Sequence, residues 1–235
     1  MRDPPGAGVS AIIPVRDGAR YLGEAIASAL SQTRPPIEVI VVDDGSTDGS
    51  GDLARGFGPA VRAIAQAPAG VAAARNRGVA AARAAWIAFL DSDDLWVPSK
   101  LERQADVAAR DPALDAIFGQ FETFVSPDVD AAALPRLALP PGPQPGLLSG
   151  TMLVRRESFA RVGPFDERLR AGEFVDWCAR AREAGLRFHV SADVLLRRRV
   201  HDRNLTRRAT GAMADYVLAA KAALDRRRAR AEGGA

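Results

Sequence analysis

The sequence contains a single cysteine, Cys178, which excludes an internal disulfide. No pattern around it marks a nucleophile, so we interpret it as a small buried apolar residue, and cysteine scarcity favours a reducing compartment. No apolar run approaches the roughly 20 residues that a membrane-spanning helix needs. The first ten residues, MRDPPGAGVS, lack the apolar core of a secretory signal. We therefore expect a cytoplasmic protein without a transmembrane segment.

Lysine and histidine are also scarce, and Lys100 and Lys221 are the only lysines. The net charge of +3 is carried almost entirely by arginine, which clusters late in the chain, in LLRRRVHDRNLTRR and LDRRRARAE. Arginine suits planar recognition of phosphate. No aromatic residues interleave these basic stretches to stack on bases, so we do not expect nucleic acid as a partner. Nucleic-acid binding through the basic tail is kept as a less favoured alternative.

Strand and helix patterns alternate through the first half of the chain. Runs such as VSAIIPV and EVIVVDD are typical of buried strands, whereas Leu22, Ile26 and Leu30 recur at helical spacing. This alternation predicts a parallel sheet with right-handed crossovers. The predicted strands are 9–15, 38–44, 61–66 and 86–91; the predicted helices are 19–33, a short helix after the turn at 45–52, 71–84 and one that opens at Pro98.

The second half is less regular. A strand is predicted at 116–124, but residues 126–147 are rich in proline and are predicted to form a loop, lid or linker. A strand resumes in GTMLVRR, a helix over EFVDWCARAREAG ends at Gly185, and FHVSADVLLRRRV forms another strand. We predict one domain over 1–208, with halves 9–115 and 116–208, and a helical tail over 209–235 that packs on the body, on a second copy as a homodimer, or weakly on a membrane surface.

Aspartates follow three of the predicted parallel strands. Ligands of such sheets bind beyond the carboxyl ends of the strands, so these acids are expected at one edge. Helix capping explains a single aspartate well, but it does not explain three acids in the four residues after WIAFL. A divalent cation neutralises such a cluster, and Mg²⁺ or Mn²⁺ held by carboxylates commonly holds a substrate phosphate as well. The acids concerned are Asp17, Asp43, Asp44, Asp91, Asp93 and Asp94.

Five segments together resemble family 2 glycosyltransferases of the GT-A fold. They are VSAIIPVRDGARYLGEAIASALSQT, EVIVVDDGSTDGS, GVAAARNRGVAAARAAWIAFLDSDDLWVPSKL, FARVGPFDERLRAGEFVDWCARAREAG and RRRVHDRNLT, which cover residues 9 to 206 in the family's order. The resemblance implies an α/β fold with a Rossmann-like, mostly parallel sheet flanked by helices, a smaller acceptor-side half and a C-terminal helix. It also implies transfer of a sugar from a nucleoside diphosphate sugar to an acceptor.

The resemblance assigns a nucleotide site to the first half. Pro14 and Asp17 would line the base and ribose pocket, with Asp17 standing where Asn is commoner. Asp44, supported by Asp43, would accept a hydrogen bond from the uracil ring N–H, because a carboxylate prefers a base whose ring nitrogen is a donor. We therefore expect a UDP-sugar. Arg75 and Asn76 are also expected to reach the nucleotide.

The same resemblance assigns a Mn²⁺ or Mg²⁺ site. Asp93 and His201 are the predicted metal ligands, although a lone histidine is usually structural. Asp91 and Ser92 are predicted to contact ribose or donor sugar, and Asp94 to cap or support. Arg199 is predicted to bind the diphosphate together with its neighbours Arg198 and Arg203; the alternative is a solvated basic face.

The general base of an inverting reaction is expected at the start of the helix after FDE. Relatives place an acidic pair there, usually Glu-Asp, but the pair in this sequence reads Glu173-Phe174. Glu173 is the predicted base and Asp176 the second candidate, with an ion pair to Arg180 at i+4 as the other interpretation of Asp176. The altered pair leaves open a donor-binding scaffold that has lost turnover. The acceptor, whether glycan, lipid, peptide or small molecule, is not specified by the sequence.

Other enzymes on related sheets fit less well. A dinucleotide-dependent oxidoreductase requires G-x-G-x-x-G after the first strand, where this chain has PVRDGARYLG. A sugar nucleotidyltransferase requires a Gly-rich, basic loop at that point, and an aspartyl phosphatase requires its acids after the first strand. Trp177 is interpreted either as a platform for the acceptor sugar or as a core residue.

Overall fold

The computed structural model describes residues 8–129 and 142–201, which form an α/β fold built on one curved sheet. Its strands are β1 (Val9–Val15), β2 (Glu38–Asp43), β3 (Val61–Ala65), β4 (Trp86–Phe89), β5 (Leu95–Trp96), β6 (Ala116–Val125), β7 (Gln144–Pro145), β8 (Leu153–Arg155) and β9 (Phe188–Val200). Its α-helices are α1 (Ala19–Leu30), α2 (Ser50–Gly56), α3 (Val71–Ala81), α4 (Lys100–Arg110), α5 (Arg156–Val162) and α6 (Glu173–Glu183).

The first half forms the parallel part of the sheet. Strands β3, β2, β1 and β4 lie side by side in that order and all run parallel. Every residue of β1 and β4 is buried, because helices cover both faces of a sheet of this kind. The carboxyl ends of β1, β2 and β4 therefore meet at one edge, as the predicted alternation of strands and helices requires.

The second half adds antiparallel pairings to the sheet, although β6 and β9 run parallel to each other. Strand β8 pairs antiparallel with both β4 and β6, and β9 runs beside β6. The two-residue strand β5 directly follows the DSDD segment and pairs antiparallel with Arg197 and Leu196 of β9. Hydrophobic patterns did not reveal β5, β7 or α5, because two-residue strands and a seven-residue helix are too short for a periodic signal.

A close approach of helix α3 to strand β1 depends on Gly78, in the AARNRG segment. A Cβ atom at this position would lie 2.4 Å from Cγ2 of Ile12, so a larger residue would push the helix off the sheet. Arg75 and Asn76 lie on the same helix, and the seating of α3 therefore fixes their positions. Helix α6 ends as predicted at Gly185, whose φ is 74°, and the Leu186 N–H closes the helix on the carbonyl of Ala181.

Two predictions about individual residues are corrected here. Helix α4 begins at Lys100 with Ser99 as its N-cap, so Pro98 precedes the helix instead of opening it. Trp177 is fully buried and its ring stacks on Phe159 at 5.1 Å, which makes it a core residue and not a platform for an acceptor.

A buried polar group braces the turn at 149–151 behind the site. The Lys100 ammonium is fully buried and donates to Oε1 of Gln104 at 2.7 Å, and burial lowers its pKa well below the usual value. Gln104 in turn donates to the carbonyls of Ile117 and Thr151 at 2.9 and 2.8 Å. The 149–151 turn is thereby fixed against α4 and β6.

Several predictions fall outside the described residues. The C-terminal helix over 209–235, its homodimer or membrane contact, Arg203 and most of the proline-rich segment lie in 202–235 or 130–141. Within residues 8–129 and 142–201, no helix combines the length and the apolar character needed to cross a bilayer.

Candidate active site

A cleft of about 510 Å³ opens at the carboxyl ends of β1, β2 and β4. Both halves of the chain line it, since the segment between α5 and α6 and the end of β9 close its far side. Nine of the predicted site residues line this cleft: Pro14, Asp17, Asp44, Arg75, Asp91, Ser92, Asp93, Glu173 and His201. Four others are not among its lining residues: Asp43, Asn76, Asp176 and Arg199.

Asp44 sits at the end of β2 and organises the loop that leads into α3. Its Oδ1 accepts hydrogen bonds from Nε2 of Gln66 at 2.8 Å and from the N–H of Ala69 at 2.7 Å. Its Oδ2 accepts the N–H of Gly70 at 2.8 Å. The carboxylate is 3% exposed but lines the cleft, so it is a rigid, oriented acceptor with lone-pair capacity left on Oδ2.

Asp17 and Asp43 hold the loop that follows β2. Asp17 adopts a left-handed backbone with φ of 49°, and its Oδ1 accepts the N–H of Thr47 at 2.8 Å. Asp43 accepts the N–H of Ser46 at 2.9 Å. A Cβ atom on Gly51 would lie 2.4 Å from Oδ2 of Asp43, which leaves room for no larger residue there. Asp43 thus supports the loop beside Asp44 from outside the cleft.

The DSDD segment and the end of β9 meet through Asp93 and His201. Because β5 pairs with β9, residues that are 108 positions apart come together, and Nε2 of His201 lies 3.0 Å from Oδ2 of Asp93. The Asp93 side chain is 30% exposed to the cleft and that of His201 is 7% exposed. The ring of Tyr21 packs on the imidazole with ring centroids 4.8 Å apart.

The neighbouring carboxylate Asp94 is buried behind this pair. Its Oδ1 accepts the backbone N–H of Arg199 at 2.8 Å. Burial raises the pKa of Asp94 well above its usual value, and the negative charges of Asp93 and Asp91 add to the effect. The carboxylates of this segment therefore lie close enough to affect one another's ionisation.

A buried guanidinium joins the two halves of the site. Arg75 is 4% exposed; it forms an ion pair with Glu173, and its Nη2 lies 2.6 Å from Asp91 and 3.1 Å from the Ser149 hydroxyl. Burial alone would lower the pKa of Arg75, but the charges of Asp91 and Glu173 outweigh it, so the pKa is raised. Arg75 thus fixes the predicted base Glu173 relative to the DSDD segment.

Asn76 and Asp176 do not line the cleft themselves, and both are engaged by other protein groups. The Asn76 amide exchanges two hydrogen bonds with the backbone of Phe165, at 3.0 and 2.9 Å, and donates to Oε1 of Glu167 at 2.9 Å. Asp176 pairs with Arg180 at 2.8 Å, which is the i+4 alternative raised for it above. A direct role for either residue in substrate binding would require these contacts to be rearranged.

Comparison with known proteins shows the family to which this chain belongs. The family model described as Glycosyl transferase family 2 matches residues 10–163. A protein of Rickettsia typhi named as an uncharacterized glycosyltransferase is 32% identical over 227 residues, which covers 88% of this chain and 69% of that protein. This chain belongs to glycosyl transferase family 2.

Other matches agree with this assignment. The succinoglycan biosynthesis protein ExoO of Rhizobium meliloti is 35% identical over 189 residues, covering 70% of this chain and 53% of ExoO. A structure of S. aureus TarS 1–349 with UDP-GlcNAc matches with a TM-score of 0.75 at 19% identity, over 92% of this chain and 65% of that one. The match to TarS shows a shared GT-A fold. The glycosyltransferase chain thus spans about two thirds of TarS 1–349 and about half of ExoO.

A carboxylate oxygen and an imidazole nitrogen meet in the cleft of this glycosyltransferase, where Oδ2 of Asp93 and Nε2 of His201 lie at a hydrogen-bond distance of 3.0 Å. Both are ligand types that a divalent cation accepts, so these two residues would hold a cation bound there. Among residues 8–129 and 142–201, no cluster of three or more His, Cys, Asp or Glu could hold a metal. Diphosphate and water would therefore supply the remaining ligands.

Several cleft residues were not predicted from the sequence. Glu167 and Arg170 line the cleft of the glycosyltransferase from the segment between α5 and α6, and Arg16 and Tyr21 line it from the other side. Arg198, which was predicted together with Arg199, also lines it. Glu167 belongs to the FDERLRAGEF segment, which is part of the family resemblance. The resemblance therefore indicated that this segment lies near the site, but it assigned no role to Glu167. Of the two arginines at the end of β9, Arg198 faces the cleft, while Arg199 lies behind it.

Arg199 is expected to support the Asp93–His201 pair, and its removal should destabilise the fold. It is 2% exposed, its Nε donates to the Asp93 carbonyl at 2.9 Å, and its guanidinium lies 4.5 Å from the Tyr21 ring. We expect Arg199→Met to lower the free energy of unfolding by about 2–4 kcal/mol, because a buried charged hydrogen bond and a cation–π contact are lost. Urea denaturation measures this.

The matched control is Arg197→Met, two residues earlier on β9. Arg197 is 45% exposed and pairs with Glu122 at the surface, so its loss should cost less than about 1 kcal/mol. Equal losses for the two variants would show that Arg199 has no special role in supporting the DSDD segment.

Proposed function

We propose that this chain is a metal-dependent glycosyltransferase that moves a sugar from a UDP-sugar to an acceptor nucleophile with inversion at the anomeric carbon. The observation that carries the proposal is the convergence of three groups on one cleft: the Asp44 carboxylate, the Asp93–His201 pair and carboxylates of the acceptor-side half. Membership of glycosyl transferase family 2 supplies the reaction class.

A uracil nucleotide is the donor that the cleft supports best. A carboxylate accepts hydrogen bonds and donates none, and the uracil ring N–H is a donor, as Asp44 requires. Structures of S. aureus TarS 1–349 with UDP and with UDP-GlcNAc have the same fold. UDP-GlcNAc is therefore the first donor to test, although the shared fold does not specify the sugar.

Asp93 and His201 are the residues proposed to hold Mn²⁺ or Mg²⁺ together with the diphosphate. A bound divalent cation supplies Lewis-acid stabilisation of the negative charge that develops on the leaving phosphate. Arg198, near the end of β9 and three residues before His201, also lines the cleft, and a guanidinium there would attract the diphosphate.

The proposed reaction is a direct displacement. The acceptor oxygen attacks the anomeric carbon from the face opposite the nucleotide, while the bond from that carbon to the β-phosphate oxygen breaks and its electron pair stays on UDP. The acceptor proton passes to a carboxylate of the acceptor-side half. Glu173, the predicted base, lines the cleft, as does Glu167, whereas Asp176 is not among the lining residues.

A nucleotide panel tests the donor proposal. With Mn²⁺ present, UDP at about one hundred times its dissociation constant should raise the free energy of unfolding by about 2.7 kcal/mol. CDP at equal concentration should give much less, because the cytosine ring nitrogen is an acceptor; GDP, whose ring N–H is also a donor, tests whether the cleft distinguishes the smaller base. Thermal and chemical denaturation measure these changes, and release of UDP from UDP-GlcNAc measures turnover. Equal stabilisation by all three nucleotides would contradict a uracil site at Asp44.

A nucleotide-sugar-binding scaffold without turnover is the second candidate. It is favoured by Phe174, which occupies the position of the second acid of the usual pair and is buried with its ring 6.4 Å from that of Phe118. Tight binding of UDP-sugars without release of UDP to water or to any acceptor would support the scaffold over the enzyme.

A further inference from the structure

We propose that Glu167 is the proton acceptor of the transfer reaction and that Asn76 positions it. This inference rests on the proposed function and adds a catalytic residue that the sequence motifs did not assign. It follows from a comparison of the three carboxylates that α6 and the segment before it bring near the cleft: Glu167, Glu173 and Asp176.

Two of these carboxylates form ion pairs with arginines. Asp176 is held by Arg180 and is not among the residues that line the cleft. Glu173 lines the cleft, but its side chain is only 7% exposed and is paired with the buried Arg75. Uptake of a proton by Glu173 would remove one of the two carboxylate partners of a guanidinium that has little access to water.

Glu167 differs from both in exposure and in the charge of its partner. It is exposed, it lines the cleft, and its Oε1 is held at 2.9 Å by the neutral amide of Asn76. In the described part of the chain Glu167 forms no ion pair, so its protonation breaks none. A general base needs this combination of fixed direction, access to the substrate and freedom to take a proton.

Asn76 provides the fixed direction. One hydrogen of its amide goes to the Phe165 carbonyl and the other to Glu167, while its oxygen accepts the Phe165 N–H. All three contacts join helix α3, which carries Asn76, to the segment that contains Phe165 and Glu167. The close approach of Gly78 to strand β1 holds this helix against the sheet. Glu167 is therefore anchored to the donor half, although it belongs to the acceptor-side half.

The step balances without any further reagent. A lone pair of the acceptor oxygen forms the bond to the anomeric carbon, the bond to the diphosphate oxygen breaks with its electrons, and the acceptor proton goes to the Glu167 carboxylate. When water is the acceptor, the products are the free sugar, UDP and a protonated Glu167, which then loses its proton to solvent.

The test uses water as the acceptor, because the physiological acceptor is not identified. Hydrolysis of UDP-GlcNAc is followed by UDP release for the full chain with Mn²⁺, and the affinity for UDP is measured in parallel. Glu167→Gln should lower kcat by about 10²–10⁴-fold and leave UDP affinity within about twofold. Glu157→Gln, on the exposed face of α5 and outside the cleft lining, is the control and should match the wild type.

A pH profile separates a base from a residue that only shapes the cleft. A base acts in its ionised form, so kcat/KM falls as the pH drops through its pKa. Asn76→Asp replaces the donor on Glu167 by a second carboxylate, and two like charges raise the pKa; the acidic limb should move upward by about one pH unit. The other charged groups around this segment are left unchanged by these variants. They are Arg75, Glu173, Arg170, the Asp166–Arg168 pair and the Asp176–Arg180 pair.

The outcomes are distinguishable. Loss of kcat in Glu167→Gln with retained UDP affinity, together with the shift in Asn76→Asp, supports the assignment. A wild-type rate and pH profile in Glu167→Gln, with the loss confined to Glu173→Gln, overturns it and restores Glu173 as the base. Absence of UDP binding and of turnover in the wild-type chain overturns the proposed function, and this inference with it.

Discussion

Asp93→Ala is expected to abolish the Mn²⁺-dependent part of the stabilisation that UDP gives. In the wild type, Mn²⁺ and UDP together should add about 2.7 kcal/mol to the free energy of unfolding at one hundred times the dissociation constant. Asp93 is the most exposed member of the predicted metal pair, and no third His, Cys, Asp or Glu ligand in the described residues replaces it. The measurement is thermal and chemical denaturation with UDP, in the presence and absence of Mn²⁺.

The same variant should change the stability of the ligand-free protein very little, and it should even raise it at low ionic strength. Asp91, Asp93 and Asp94 lie within four residues, and removal of one negative charge reduces their mutual repulsion. The loss of the contact with His201 opposes this gain. A structural role for Asp93 predicts the opposite result, with a large loss of stability in the absence of any ligand.

Asp52→Ala is the control for Asp93→Ala. Asp52 lies on α2 with an 85% exposed side chain, and it is not among the residues that line the cleft. This variant should respond to UDP and Mn²⁺ as the wild type does. A full response by Asp93→Ala would remove Asp93 from the proposed metal site and leave the acid cluster without its explanation.

The parallel half of the fold was predictable because its signals are local. Strands β1, β2 and β4 are mostly apolar runs, and β1 and β2 are each followed directly by a helix. The predicted and observed strands differ by at most two residues at their ends. The acids at the carboxyl ends of these strands converge as expected, since the topology of a parallel sheet gives them no other edge.

The acceptor-side half was less predictable because its geometry depends on long-range pairing. The contact between Asp93 and His201 requires the two-residue strand β5 to pair with the end of β9, and no sequence pattern marks a strand of that length. Long-range pairing also decides which of Arg198 and Arg199 lines the cleft. The alternation of faces along β9 decides which one faces the cleft, and a one-residue change of register would exchange them.

The ion-pair partners of buried charged residues could also not be predicted from the sequence. Arg75 was predicted to reach the nucleotide, and it does line the cleft, but its ion pairs with Asp91 and Glu173 join residues that are 16 and 98 positions apart. The i+4 pair of Asp176 with Arg180 was foreseen as an alternative, because helical spacing is a local property.

Arg75→Met is expected to be the most damaging single substitution in the described part of the chain. It leaves Glu173 buried without its cation and leaves Asp91 and Ser149 without a donor. Breaking a buried ion pair by removing one partner typically costs about 3–5 kcal/mol, so we expect a loss of this size in the free energy of unfolding and no detectable release of UDP from UDP-GlcNAc. Arg75→Lys should rescue little, because one ammonium does not reproduce the fork that bridges two carboxylates.

A double-mutant cycle distinguishes loss of the ion pair from loss of packing. Arg75→Met combined with Glu173→Gln removes both charges, so part of the stability lost in Arg75→Met should return while turnover stays absent. Arg55→Met is the matched control, since Arg55 is 58% exposed and pairs with Asp52, which is 85% exposed; it should cost less than about 1 kcal/mol. If the double variant is as unstable as the sum of the single ones, Arg75 acts through packing alone, and the link that it forms between the two halves of the site has no electrostatic function.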